Sequence, residues 1–98
     1  MLLREKDKKT LLRIFSKSEE PIEVWAYGSR VNGNAHDGSD LDLVIKSKNE
    51  RELPFKIYSG LMSQIQDSNI PILVDVKDWY LLPESFRKNI LKNRVAIL

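Results

Sequence analysis

At 98 residues the chain has room for one compact core and not for two. Sixteen Lys and Arg against fourteen Asp and Glu leave a formal net charge of +2, too balanced for the basic footprint of a nucleic-acid binder. With no cysteine and a single histidine, a disulfide framework, a thiolate metal site and a His-rich site are all excluded, so any metal must be held by oxygen.

After Met1 and two leucines the chain is charged from Arg4 to Lys9, with no apolar run of signal-peptide or membrane-spanning length, and a cytoplasmic protein is expected. Leu11, Leu12 and Phe15, with Ile14 beside them, predict an amphipathic first helix that ends before Pro21. Glu23 to Tyr27 is a β-prone run that stops at Gly28, where a short helix is expected to begin. A loop rich in Gly, Asn, Asp and Ser then leads into a second strand, Leu41 to Ile45. Tyr58, Leu61, Met62 and Ile65 repeat at helical spacing and predict a helix from Pro54 to Gln66. Ile70 to Val76 reads as a third strand. Leu82, Phe86 and Ile90 predict a last helix, with Pro83 at its first position and its end near Asn93, before a short terminal strand at Val95 to Leu98. The alternation of strands and helices predicts a single α/β domain over residues 1–98, a small sheet covered by helices.

The chemistry concentrates in two segments, Tyr27-Gly28-Ser29-Arg30-Val31-Asn32-Gly33 and Ser39-Asp40-Leu41-Asp42-Leu43-Val44-Ile45. Alternate residues of a strand share a face, so Asp40 and Asp42 project together while Leu41, Leu43 and Ile45 point into the core. Two carboxylates this close repel unless a cation lies between them, and hard oxygen ligands suit Mg²⁺, with Mn²⁺ as an alternative. Paired metals about 3.5–4 Å apart would serve an in-line phosphoryl displacement. At Gly28-Ser29 a strand gives way to a helix start, a place where backbone N–H groups and a hydroxyl can cradle a triphosphate, with Arg30 as a further phosphate contact. Asp75 lies inside an apolar strand, where an unpaired charge is costly; a neighbouring metal pair would supply its partner, and its carboxylate could accept the proton of an attacking hydroxyl.

A Gly-Ser pair, ten intervening residues, Asp-x-Asp and a later strand Asp together resemble the nucleotidyltransferase superfamily that includes DNA polymerase beta. The small size and the Gly-Ser-Arg-x-x-Gly and Ser-Asp-Leu-Asp-Leu forms are similar to its minimal branch, whose members are often antitoxin partners of HEPN-domain toxins. The resemblance covers Glu23 to Val76. It implies a mixed sheet flanked by helices, the polymerase beta palm-like fold, and it gives nucleotide phosphates to Gly28 and Ser29 and metal to Asp40 and Asp42, with Asp75 completing the catalytic triad. It also implies a Mg²⁺-dependent enzyme that moves a nucleoside monophosphate, AMP from ATP, to an acceptor. The expected acceptor is a HEPN-type protein, and a homo-oligomer is the other expected assembly. The alternative is an antitoxin that binds nucleotide and neutralises its partner by complex formation without transfer.

Other residues carry blander readings. His36 and Asp37 belong to an exposed loop and are given no role. Trp25, Trp79 and Tyr80 are expected in the core or an interface, and the basic clusters at Lys6 to Lys9 and Arg87 to Arg94 on solvated helix faces. Asp67 and Asp78 compete with Asp75 for the third acidic position, and only strand context selects among them.

Overall fold

A computed structural model of the chain describes residues 1–36 and 38–98. Four strands form one mixed sheet in the order β3-β2-β1-β4: β1 Ile22–Tyr27, β2 Leu41–Ser47, β3 Val74–Asp78 and β4 Val95–Ala96. β1 lies antiparallel to both β2 and β4, while β2 and β3 run parallel. The helices are α1 Glu5–Ser16, the four-residue α2 Ser29–Asn32, α3 Phe55–Gln66 and α4 Glu84–Lys92.

The alternation read from β1 and β2 decides which face each side chain takes. Val24 and Ala26 of β1 and Leu41, Leu43 and Ile45 of β2 are fully buried beneath α1 and α3, which contribute Leu11, Phe15, Leu61 and Ile65 to the same cluster. The opposite face is only partly covered. There Val44 packs with Trp79 and Ile90, and with the half-buried Trp25, Tyr27 and Phe86, in a smaller second cluster under α4. Trp25 meets Trp79 edge-on at 5.4 Å between ring centroids, and Tyr27 meets Phe86 in the same way at 5.9 Å. Such pairs add to the area they bury.

Several elements depart from the expected boundaries. β3 begins at Val74 and not at Ile70: Pro71 has no N–H to give a ladder, and Ile70 and Ile72 pack against the first core from a loop. The Leu73 carbonyl still accepts from Leu41 N at 2.9 Å, which aligns the two strands. A single 3-10 turn, Trp79–Leu81, follows β3; the Asp78 carboxylate caps it by accepting from Tyr80 N at 2.9 Å. Pro83 stands just outside α4 in an extended conformation. The terminal strand is shorter than expected, although Ile97 and Leu98 N both donate to the Val24 carbonyl and keep the end of the chain on β1. Among the described residues no helix is long and apolar enough to cross a membrane.

Candidate active site

β1 ends at Tyr27, and the chain must turn at once to start α2. Gly28 makes that turn at φ 80°, ψ −154°, a region essentially reserved for glycine, and its carbonyl accepts from Val31 N and Asn32 N, each at 3.0 Å. A second constraint acts on the same residue. A Cβ at Gly28 would lie 2.7 Å from Oδ2 of Asp42, so the missing side chain is what lets the turn pass over the carboxylate. Ser29 opens α2 beside it, and Gly33 closes the helix in a left-handed conformation.

Strand register brings the acidic residues together. Tyr27 pairs with Asp42, and Asp42 pairs with Asp75, so the three form a row across β1, β2 and β3 on the face shared with α4. Asp40, exposed, lies two residues before Asp42 at the entrance to β2. Burial raises the Asp42 carboxyl above the ordinary carboxylate range; the negative charge of Asp75 adds to this, Lys77 opposes it, and Asp40 contributes a smaller push upward. The Tyr27 phenol is likewise pushed up, first by burial and then by Asp42 and Asp75. Lys77, two residues beyond Asp75 and on the same face, places Nζ 2.6 Å from Oδ2 of Asp75.

Asp75 and Asp78 lie on opposite faces of β3. Asp78 is buried opposite Ile45, where it accepts from Leu53 N at 2.8 Å and from Tyr80 N. Its work is structural. Asp67 caps the end of α3.

Arg30 is not where the sequence reading put it. Instead of facing a phosphate it is buried, with Nε and Nη2 donating to the Ser39 carbonyl at 2.9 and 2.7 Å and Nη1 donating to the Leu2 carbonyl at 2.6 Å. Leu2 N in turn donates to the Arg30 carbonyl at 2.9 Å. The planar guanidinium suits this task, bracing the residue just before Asp40 against α2 and the N-terminal segment. In the loop between them His36 Nδ1 accepts from Gly38 N at 3.1 Å, a local turn contact; Asp37 lies outside the described residues. Within the Arg87 to Arg94 cluster Lys88, Lys92 and Arg94 are exposed as expected, Arg94 lying 4.3 Å from the Trp25 ring centroid, while Arg87 is partly covered and donates from Nε to the Trp79 carbonyl at 2.9 Å.

Among the described residues no group of three or more His, Cys, Asp or Glu side chains is gathered as a ready metal cage. What the structure brings together is narrower: Asp42 and Asp75 side by side, Asp40 near the strand entrance, and the bare Gly28 backbone over Asp42. The donor set is all hard oxygen, mutually repelling and unfilled by any Cβ, and it fits a small divalent cation. Tyr27 and Lys77 were missed from sequence, yet both share the strand parity of the acidic residues beside them.

The family described as Polymerase beta, Nucleotidyltransferase matches residues 9–98. The Haemophilus influenzae protein named "Probable protein adenylyltransferase MntA" is 45% identical over 74 residues, which is 76% of this chain and 63% of that protein. The chain thus spans less than two thirds of the length of that relative. A toxin-antitoxin crystal structure with AMP-PNP superposes with a TM-score of 0.74 at 15% identity, over 94% of this chain and 73% of the other. A mutant form of the toxin-antitoxin MntA-HpeT gives a TM-score of 0.68 at 18% identity, over 98% and 73%. At such identities the structural likeness is one of fold, and that fold is the mixed sheet with flanking helices expected from the sequence.

Proposed function

Because this chain belongs to the Polymerase beta nucleotidyltransferase family, we propose that it moves AMP from ATP to a hydroxyl of a partner protein. The observation that carries this reading is the cross-strand row of Tyr27, Asp42 and Asp75 with the Gly28 backbone against Asp42. The acceptor oxygen forms a bond to the α-phosphorus, the bond to the β-phosphate oxygen breaks, and pyrophosphate leaves. Gly28 and Ser29 receive the phosphates at the strand-to-helix turn. Asp75, at the outer edge of the row, takes the proton of the acceptor hydroxyl. Asp40, Asp42 and Asp75 would hold Mg²⁺, with Mn²⁺ able to replace it, and the bound metal supplies charge neutralisation at the reacting phosphate and the leaving oxygen. Arg30 acts at a distance, bracing the loop that delivers Asp40.

The relative named as a protein adenylyltransferase, and the fold neighbours described as toxin-antitoxin complexes, support a toxin protein as acceptor and partner, with the chain as its antitoxin. We assign the partner to the helical HEPN type. The test is to incubate the purified chain with the co-expressed toxin, α-labelled ATP and Mg²⁺. Label on the toxin that disappears with Asp42→Asn is the expected result; a toxin that stays unlabelled in the complex overturns transfer.

One observation favours a second reading, neutralisation by complex formation alone: the Asp75 carboxylate is already ion-paired with Lys77. Under that reading Asp42→Asn protects cells from the toxin as well as the unaltered chain does.

A further inference from the structure

We propose that Lys77 is an internal counter-ion that occupies the cation position at Asp75 until a divalent metal displaces it, an inference that rests on the metal-dependent site proposed above. Two observations converge on it. The Lys77 ammonium is 2.6 Å from Oδ2 of Asp75, one of the two carboxylate oxygens open to a metal. β3 pairs Lys77 with Val44 and Asp75 with Asp42, so the lysine stem lies on the carboxylate face and not on the core side.

Other described cations near this face have different neighbours. Arg30 braces the Ser39 and Leu2 carbonyls, Arg87 holds the Trp79 carbonyl, Lys46 lies 6.0 Å from the Tyr80 ring centroid and Arg94 lies 4.3 Å from that of Trp25. Lys77 is therefore placed to relieve the repulsion between Asp42 and Asp75 in the metal-free protein. A lysine suits the task better than an arginine would. Its ammonium is a compact charge on a flexible four-carbon stem, so it can swing away while the backbone stays in β3. The Lys77 side chain is one third exposed and that of Asp75 about half exposed, so solvent screens the pair in part. Metal entry must break this ion pair and bring a divalent charge up to an ammonium; both effects weaken metal binding, and both vanish when the charge is removed.

The test is a Mn²⁺ titration of the full chain, read by calorimetry and by electron paramagnetic resonance, for the unaltered protein, Lys77→Met, Lys77→Gln and Asp42→Asn. Lys77→Met and Lys77→Gln should bind Mn²⁺ on the order of tenfold more tightly than the unaltered chain. Their melting temperatures should also rise more on adding metal. Two neutral replacements of different polarity separate the loss of charge from any packing defect. Equal or weaker Mn²⁺ binding in both overturns the role of Lys77, and if Asp42→Asn still abolishes binding the transferase reading survives that result. Absence of Mn²⁺ binding from all four proteins overturns both.

Discussion

Replacing Gly28 by Ala should damage the site through two separable effects. The first is backbone strain. At φ 80° and ψ −154° a residue with a side chain costs about 1–3 kcal/mol, which for a domain of this size lowers the melting temperature by roughly 4–8 °C for each kcal/mol. The second is local. The new Cβ would come within 2.7 Å of Oδ2 of Asp42, and since that oxygen is the far end of a side chain it rotates away before the backbone yields. The carboxylate is then misdirected, and Mn²⁺ binding should weaken by more than the stability loss explains. Gly33→Ala supplies the control: in the left-handed region at φ 88° and ψ 3° it strains the backbone less, and its Cβ meets nothing within 4 Å. Thermal melts followed by circular dichroism, with Mn²⁺ affinity measured well below each transition, separate the effects. Both variants should melt earlier, and only Gly28→Ala should lose metal. Unchanged Mn²⁺ affinity in Gly28→Ala would refute the close approach of Gly28 to Asp42 as a reason for the glycine.

Asp78→Asn should cost about 1.5–3 kcal/mol, since a charge-assisted bond to Leu53 N or Tyr80 N is lost, while Mn²⁺ binding holds; Asp75→Asn should leave the metal-free melt nearly unchanged and lower transfer by about 10²–10⁴-fold. Exchange of these two phenotypes would show the acidic roles to be reversed. In the metal-free protein the raised Asp42 carboxyl binds its proton more readily folded than unfolded, so its ionisation destabilises the fold as pH rises; Asp42→Asn should therefore melt higher than the unaltered chain at pH 7, with the gap closing as pH falls towards the ordinary carboxylate value of about 3.9. A gap that is constant across that pH range would contradict the assignment. Gly60, exposed in the middle of α3 with nothing within 4 Å of an added Cβ, should accept Ala with a gain of about 0.5–1 kcal/mol, read as a higher denaturation midpoint. A lower midpoint would contradict the open surface at Gly60.

Where a single strand's alternation decides the outcome, the sequence was readable. Leu41, Leu43 and Ile45 had to share a face, so Asp42 had to take the other, and the structure places it there. The same parity separates Asp75 from Asp78, three residues apart and on opposite faces. Contacts between distant segments were not readable. Arg30 was expected as a phosphate contact because nothing local announces that the N-terminal segment crosses it, 28 residues away in sequence, and offers it the Leu2 carbonyl. The run from Ile70 to Val76, apolar but for Asp75, suggested one strand, whereas apolar character there serves a core-packing loop first and a strand only from Val74. The Trp79–Leu81 turn is too short to show any periodicity. Lys77 stood two places from Asp75 and could have been found by parity; its pairing with that carboxylate depends on a rotamer that no sequence pattern encodes.

The register that aligns Tyr27, Asp42 and Asp75 also limits how this domain can change in length over evolutionary time. One residue inserted within β2 exchanges its faces: an aspartate is driven beneath α1 and α3, and a leucine emerges where the nucleotide is proposed to sit. Such an event removes the core and the chemistry in a single step, with no intermediate in which one survives to preserve the other. Insertions and deletions are therefore confined to the connections between strands, such as the turns on either side of α3, which set neither parity. Point substitutions can retune the carboxylate row residue by residue, but a frame shift within a strand cannot.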